Sequence, residues 1–446
     1  MRVLFCLLAL VGAAVSAQPA VPDGLLGRWA GASIEQGTPR LFELDFSRDT
    51  TGALHTEVTL PYNGYDRFPV AFALAPHTRY DGVLTAALFG DEMRLVLDLA
   101  EFHLRGTVTA ADSVTARVHL QKVVAFDLPA IETEEVSFVS GGDTLAGSLT
   151  RPAGSGPHPV ALLVQGRGYG SRSEMALWGR LLARKGVAAL AFDGPGTGRS
   201  TGTPGVDTAE SRTADVHAAL DLLLAREDVG PVGLVSYSAG GWIVPNVAAD
   251  RPGDVAFVVA MVGPATGLAE QQGHVTQAFM RASGDAFTPD EYAAAYAYQV
   301  STVEYAQQRL PWSAYGRINP AARAARWAEH ALIPESLGDA DLGYFRRRRG
   351  FTAPRWDEVQ APVLVLLGGE DPIVPPAEQT PLLDAALADH PDATVFVLPG
   401  LDHTLARPSG MVGDGAWPDR YYRPWTRGPA VFETLLGWLN ERFVTP

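Results

Sequence analysis

From about residue 131 onward the chain repeats one pattern, a short apolar run that stops at a glycine-bearing turn. Residues 160–164 run into Gln165-Gly166-Arg167-Gly168, residues 187–192 into Asp193-Gly194-Pro195-Gly196, and residues 231–235 into Ser236-Tyr237-Ser238-Ala239-Gly240-Gly241. Two more follow: residues 363–367 lead to Gly368-Gly369-Glu370-Asp371, and residues 395–398 to Pro399-Gly400-Leu401-Asp402-His403. Runs this uniformly apolar suit strands buried on both faces, as in parallel sheets covered by helices. Helical patterns lie between them. After Thr208 the residues Val216, Ala219, Leu220, Leu223 and Leu224 form one apolar face, and the stretch 175–185 stops at Gly186, a C-cap residue. Alternation of strand and helix predicts βαβ units and a mostly parallel sheet. In such sheets functional groups collect where the carboxyl ends of strands meet loops, and the turns just named are those ends.

The turn at Ser238 has the shape of a nucleophile elbow, a tight strand-to-helix turn that needs small residues two positions either side of the serine. Those positions hold Ser236 and Gly240, and Gly241 gives further room; Ser236 stands where the G-x-S-x-G pattern begins with glycine. A plain βα connection is the alternative. An unactivated hydroxyl is a poor nucleophile and needs a base, which in turn needs an orienting acid. Asp371 and His403 supply these types, each just past an apolar run. Asp402 and Glu370 are rivals for the acid, and His217 and His390, both read as helical, are rivals for the base.

The order serine, acid, histidine belongs to one of three unrelated arrangements of this chemistry. Two further stretches fit it: 165–168, at the place of a His-Gly oxyanion loop, and 193–200, a loop after the next strand. With these, residues 131–446 resemble the α/β-hydrolases, in particular the secreted bacterial esterase and serine-aminopeptidase-like branch. The resemblance implies an α/β fold, an α/β-hydrolase domain with a mostly parallel sheet and a helical cap inserted at about 264–356. It implies Ser238 as nucleophile and His403 as general base, while the family's Gly-x-x-Asp pattern selects Asp371. Family geometry puts the oxyanion against the backbone N–H groups of Ala239 and Arg167; Gln165 stands where histidine is often found. No cofactor and no metal ligand is implied. The turn 194–198 looks like a phosphate loop but lacks a following Gly-Lys-Ser/Thr, so nucleotide is not expected.

The activity expected is that of a secreted serine hydrolase that cleaves carboxylic esters, on a small-molecule ester or acyl substrate. An aminopeptidase-like or acyl-peptide hydrolase is the second reading, and a non-catalytic ligand-binding protein the third. In the cap, Tyr292, Tyr296 and Tyr298 either line an acyl pocket or pack structurally, and Glu291 and Glu304 are carboxylates suited to a substrate ammonium.

Before residue 130 the period changes to two. Phe42, Leu44 and Phe46 alternate with Glu43, Asp45 and Ser47, and Val114, Ala116, Val118 and Leu120 alternate with polar residues. Such alternation marks half-buried antiparallel strands, so 18–130 is expected to be a small all-β domain, a barrel or sandwich. Gly27-Arg28-Trp29 resembles the lipocalin Gly-x-Trp signature; a core tryptophan after a turn is the alternative. His55, His77, His103 and His119 lack metal-ligand spacing. Residues 1–17 read as a signal peptide, with Arg2, a short apolar core and Val15-Ser16-Ala17 before the cut, which predicts export to the periplasm or medium. The single cysteine, Cys6, lies within it, so a disulfide or thiolate chemistry is not expected in the mature chain. No other run is long enough to span a membrane. The net charge of −15 argues against nucleic acid as a partner, and Arg346-Arg347-Arg348-Arg349 reads as a solvated helix face.

Overall fold

A computed structural model describes residues 21–444, apart from 36–37, 61–64, 89, 111–112, 124–128, 168, 206 and 407–428. The expected leader 1–17, with Cys6, lies outside the described residues. The chain falls into two compact units, one within residues 1–126 and one made of residues from 127 onward together with 61–66.

The first unit is one antiparallel sheet. Its strands are β1 (Gly27–Glu35), β2 (Thr38–Arg48), β3 (Leu54–Leu60), β4 (Tyr65–Pro69), β5 (Ala73–Ala75), β6 (Gly82–Leu88), β7 (Asp91–Asp98), β8 (His103–Ala110) and β9 (Ser113–Lys122). They pair in the order β4-β3-β2-β1-β9-β8-β7-β6-β5 and curl into a half-barrel. The alternation seen in the sequence becomes its concave face, where Phe42, Leu44, Phe46, Leu95, Leu97 and Leu104 are buried. Trp29 is fully buried with them and donates its indole N–H to Leu25 O at 2.8 Å, so the tryptophan of the Gly-x-Trp stretch is a core residue. On the other face His103 and His119 meet edge-to-face at 4.9 Å beside Arg105, a neighbourhood that only the β8–β9 register creates.

The second unit opens with the hairpin β10 (Ile131–Ser140) and β11 (Asp143–Pro152) and continues through β12 (His158–Val164), β13 (Ala188–Phe192), β14 (Val229–Tyr237), β15 (Val258–Met261), β16 (Val363–Gly368) and β17 (Ala393–Leu398). The sheet order is β10-β11-β13-β12-β14-β15-β16-β17. The pairs β10–β11 and β11–β13 are antiparallel and the rest parallel. Strand residues point alternately to two faces. Leu162, Val164, Leu234 and Val365 pack on one side, where α2 (Ala209–Leu224) and α3 (Val244–Asp250) lie. Leu163, Val235, Leu364 and Leu366 pack on the other, against Trp178 and Leu182 of α1 (Ala176–Ala183) and Leu435 and Leu439 of α9 (Pro429–Phe443).

Between β15 and β16 the helical cap runs through α4 (Leu268–Ala282), α5 (Pro289–Gln307), α6 (Trp312–Ala324) and α7 (Ala340–Arg347); α8 (Pro376–Ala386) follows β16. No described helix is long and apolar enough to cross a membrane. Two expectations change and one open alternative is decided. Arg347 and Arg349 of the arginine run are exposed, as expected of a solvated face, but Arg348, just past α7, is buried and ion-paired with Asp207 at 2.5 Å. Tyr298 packs structurally, with its hydroxyl donating to Asn319 Oδ1 at 2.9 Å, and burial pushes that hydroxyl up to about 12. His390 lies beyond the end of α8 rather than in a helix, and its Nδ1 accepts Asp392 N–H at 3.1 Å.

Candidate active site

β14 ends at Tyr237 and the next five residues form a single tight turn, Ser238–Trp242. Ser238 has φ +49°, a left-handed conformation that side chains avoid and that persists only where the surroundings impose it. Gly240 is required here: a Cβ on it would lie 2.6 Å from Val164 O and 3.0 Å from Ser236 Cβ. Ser236 is tolerated in the usual glycine position because it is fully buried and donates its hydroxyl to Val259 O at 3.4 Å.

Asp371 follows β16, and its carboxylate is fixed from both oxygens. Oδ1 accepts the N–H groups of Ile373 at 2.8 Å and Val374 at 3.0 Å, while Oδ2 lies 2.7 Å from His403 Nδ1. His403 Nε2 lies 2.8 Å from Ser238 Oγ. A carboxylate only accepts hydrogen bonds, so Nδ1 carries the imidazole proton and Nε2 is left to accept from the serine. Asp371 and His403 are both buried. Tyr237, which the sequence did not single out, donates its hydroxyl to His403 O at 2.7 Å and holds that loop against the elbow. Its place directly before the serine, at the strand's end, was the available signal.

The rivals are otherwise engaged. Asp402 Oδ1 accepts Thr404 N–H at 2.8 Å and the Thr404 hydroxyl at 2.7 Å, closing its own loop, and burial pushes its carboxyl up. Glu370 is exposed. His217 Nε2 faces Asp250 at 3.7 Å.

Across the elbow runs the loop after β12. Gly166 passes so close that a Cβ there would come 3.1 Å from Ser238 Cβ, and Arg167 is the next residue of that loop. Ala239 follows the serine in the turn. Gln165 is buried and donates to Phe192 O at 2.6 Å, a tether between adjacent strands. Asp193 accepts the N–H groups of Arg172 at 2.7 Å and Arg199 at 3.0 Å, so it braces two loops and faces no reacting group. In the cap, Glu291 accepts Thr288 N–H at 2.8 Å as a helix cap and pairs with Arg326 at 3.2 Å. Among the described residues Asp285, Glu329 and His330 bring one potential metal-ligand atom each within 4.8 Å of one another. None of these belongs to the Ser238 constellation.

The family model for serine aminopeptidases, S33, matches residues 157–407, more than half of the chain. The protein belongs to this α/β-hydrolase family. The uncharacterized protein PA2218 of Pseudomonas aeruginosa is 32% identical over 130 residues, 27% of this chain and 34% of that protein; the chain therefore matches about a third of this curated relative's length. The crystal structure of PA2218 superposes with a TM-score of 0.44 at 19% identity, covering 71% of this chain and 96% of that one. An esterase of Pyrococcus furiosus gives 0.43 at 15% identity, over 71% of this α/β-hydrolase and 92% of the esterase. A proline iminopeptidase of Mycobacterium smegmatis gives 0.42 at 17% identity, over 69% and 98%.

Proposed function

We propose that this hydrolase is an exported serine esterase that works through Ser238, His403 and Asp371. The observation that carries the reading is the unbroken relay from Asp371 Oδ2 through His403 to Ser238 Oγ, with heavy-atom separations of 2.7 and 2.8 Å. Distances of this size are those required for proton transfer between nucleophile, base and orienter.

In the proposed reaction, Ser238 Oγ attacks the acyl carbon while its proton passes to His403 Nε2. The tetrahedral oxyanion is met by the N–H groups of Ala239 and Arg167, donors that need no reorganisation as charge develops. The C–O bond then breaks, the imidazolium returns its proton to the leaving alcohol, and an acyl-serine remains. Water deprotonated by His403 hydrolyses that ester and frees the acid. Asp371 holds the tautomer and stabilises the imidazolium throughout.

An aminopeptidase is the second reading, favoured by the description of the matched family. A peptide's free ammonium needs a partner near the scissile bond, since an unpaired buried charge is costly. Glu291 is taken up by the α5 cap and Arg326, which leaves Glu304, exposed on α5, as the cap carboxylate that an aminopeptidase reading would need. The deciding assay compares kcat/KM on nitrophenyl butyrate with that on aminoacyl nitroanilides. The ester reading expects the butyrate to lead by more than about 10²-fold, and anilide turnover equal to the ester rate would reverse it. Export rests on the leader-like residues 1–17; N-terminal sequencing of the native protein should begin near Gln18, and a mature chain that keeps Cys6 would refute it.

A further inference from the structure

Behind the loop that carries Arg167 lies a buried charge cluster that the triad does not use. Arg212 of α2 has no exposed surface. Its Nη2 donates to the backbone O of Gln165, and its guanidinium carbon sits 4.7 Å from the centre of the Tyr169 ring. Tyr169 is itself held out of the usual backbone regions, with φ +40°, and its hydroxyl donates to Asp215. One side chain thus grips the loop at Gln165 and at Tyr169, two residues either side of Arg167.

The cluster also reaches the cap. Arg212 Nη1 lies 3.7 Å from Asp207 Oδ1, and Asp207 Oδ2 accepts from Arg348 Nε at 2.7 Å. Arg348 donates to the Tyr344 hydroxyl, and its guanidinium carbon lies 4.1 Å from the centre of that ring. The Arg167 guanidinium lies 4.5 Å from the same ring centre. The circuit therefore runs from the oxyanion loop through α2 and Asp207 to α7 and back to Arg167. Buried ion clusters are weak devices for stability, because desolvation offsets much of their attraction. They do fix geometry well, because each guanidinium donates in a rigid fork.

We propose that Arg212 is a positioning residue that holds Gln165 and Tyr169 in place so that the Arg167 N–H meets the developing oxyanion, with Asp207 and Arg348 tying that setting to the cap helix α7. The inference rests on the serine-hydrolase reading above and assigns it a residue outside the triad. Displacing an oxyanion donor by about 1 Å is expected to cost on the order of 10²-fold in rate.

The test compares wild type with Arg212→Lys and Arg212→Gln. Two inhibition constants are measured on each protein: for an alkyl trifluoromethyl ketone, whose hemiketal with Ser238 places an oxyanion in the hole, and for the product alcohol, which places none. Both are independent of the folded fraction. The expected result is a ketone Ki raised about 10–100-fold with kcat lowered in proportion, while the alcohol Ki and KM stay within about threefold. The lysine variant should recover part of the loss, since it keeps the charge beside Asp207. An unchanged ketone Ki, or ketone and alcohol constants rising together, would overturn the proposal. Should neither variant fold, Arg348→Lys carries the same comparison with the same criteria. A wild-type enzyme that forms no hemiketal would instead refute the serine-hydrolase reading, and this inference with it.

Discussion

Replacing Asp371 with asparagine tests the geometry at the level of a single proton. Oδ1 of Asp371 accepts two backbone N–H groups, from Ile373 and Val374, and an asparagine keeps those bonds only by keeping its oxygen there. Flipping the amide would set its NH2 against both N–H groups and leave buried donors unpaired, at about 1–3 kcal/mol each. The amide nitrogen must then face His403 Nδ1, where the carboxylate oxygen now sits at 2.7 Å. Facing a donor, Nδ1 becomes an acceptor and the ring proton moves to Nε2, which then donates to Ser238 Oγ instead of accepting from it. The base is lost while shape and packing are kept. The equivalent exchange in a serine protease lowers kcat about 10⁴-fold, or about 5.4 kcal/mol at 1.36 kcal/mol per decade. The assay is kcat and KM on nitrophenyl butyrate at fixed pH, with thermal unfolding as a check on folding. The expected outcome is a kcat reduced by about 10³–10⁵ with KM little changed. A kcat within tenfold of wild type would refute the assignment of Asp371 and the tautomer argument together.

Asp402→Asn should behave differently, because Thr404 bonds only Oδ1, which asparagine retains; activity is expected within about tenfold, compared by the same assay. Burial raises the Asp402 carboxyl above its ordinary 3.8, so the native state binds the extra proton and the contribution of Asp402 to stability declines as pH rises from about 3.8 through the raised value. Subtracting the unfolding free energies of the Asp402→Asn protein from those of wild type across that window should isolate this decline, and a flat difference would refute the burial argument. Asp207→Ala leaves Arg212 and Arg348 buried without their shared carboxylate, and urea unfolding should show a loss of about 3–5 kcal/mol. Gly240→Ala would drive a Cβ to 2.6 Å from Val164 O, so turnover of nitrophenyl butyrate should fall at least about 10²-fold as Ser238 is displaced.

The parallel sheet and the relay were legible because both leave local marks. A strand buried on both faces must be apolar throughout, and a sharp exit from it needs glycine, so runs such as 160–164 and 363–367 announced β12 and β16 and their carboxyl ends. Ser238, Asp371 and His403 sit at three such ends, and the structure brings them within hydrogen-bond reach. Arg348 was misread because a run of four arginines looks solvated. Its buried ion-pair partner is Asp207, 141 residues earlier in the chain, and no local pattern encodes a partner that distant. Arg212 was missed for the same reason: its partners at Gln165 and Tyr169 meet it only when β12 and α2 pack together. In the first unit the two-residue period gave antiparallel strands but not how far the sheet curls, since a barrel, a half-barrel and a sandwich share that period.

The most direct test of the account is the site of covalent capture. The protein is treated with a fluorophosphonate probe, digested, and the adduct located by mass spectrometry, with Ser238→Ala in parallel. A proton relay ending at Ser238 Oγ, 2.8 Å from His403 Nε2, predicts one adduct, on the peptide containing Ser238, and none in the variant. Labelling at another residue, or equal labelling of the Ser238→Ala protein, would contradict it.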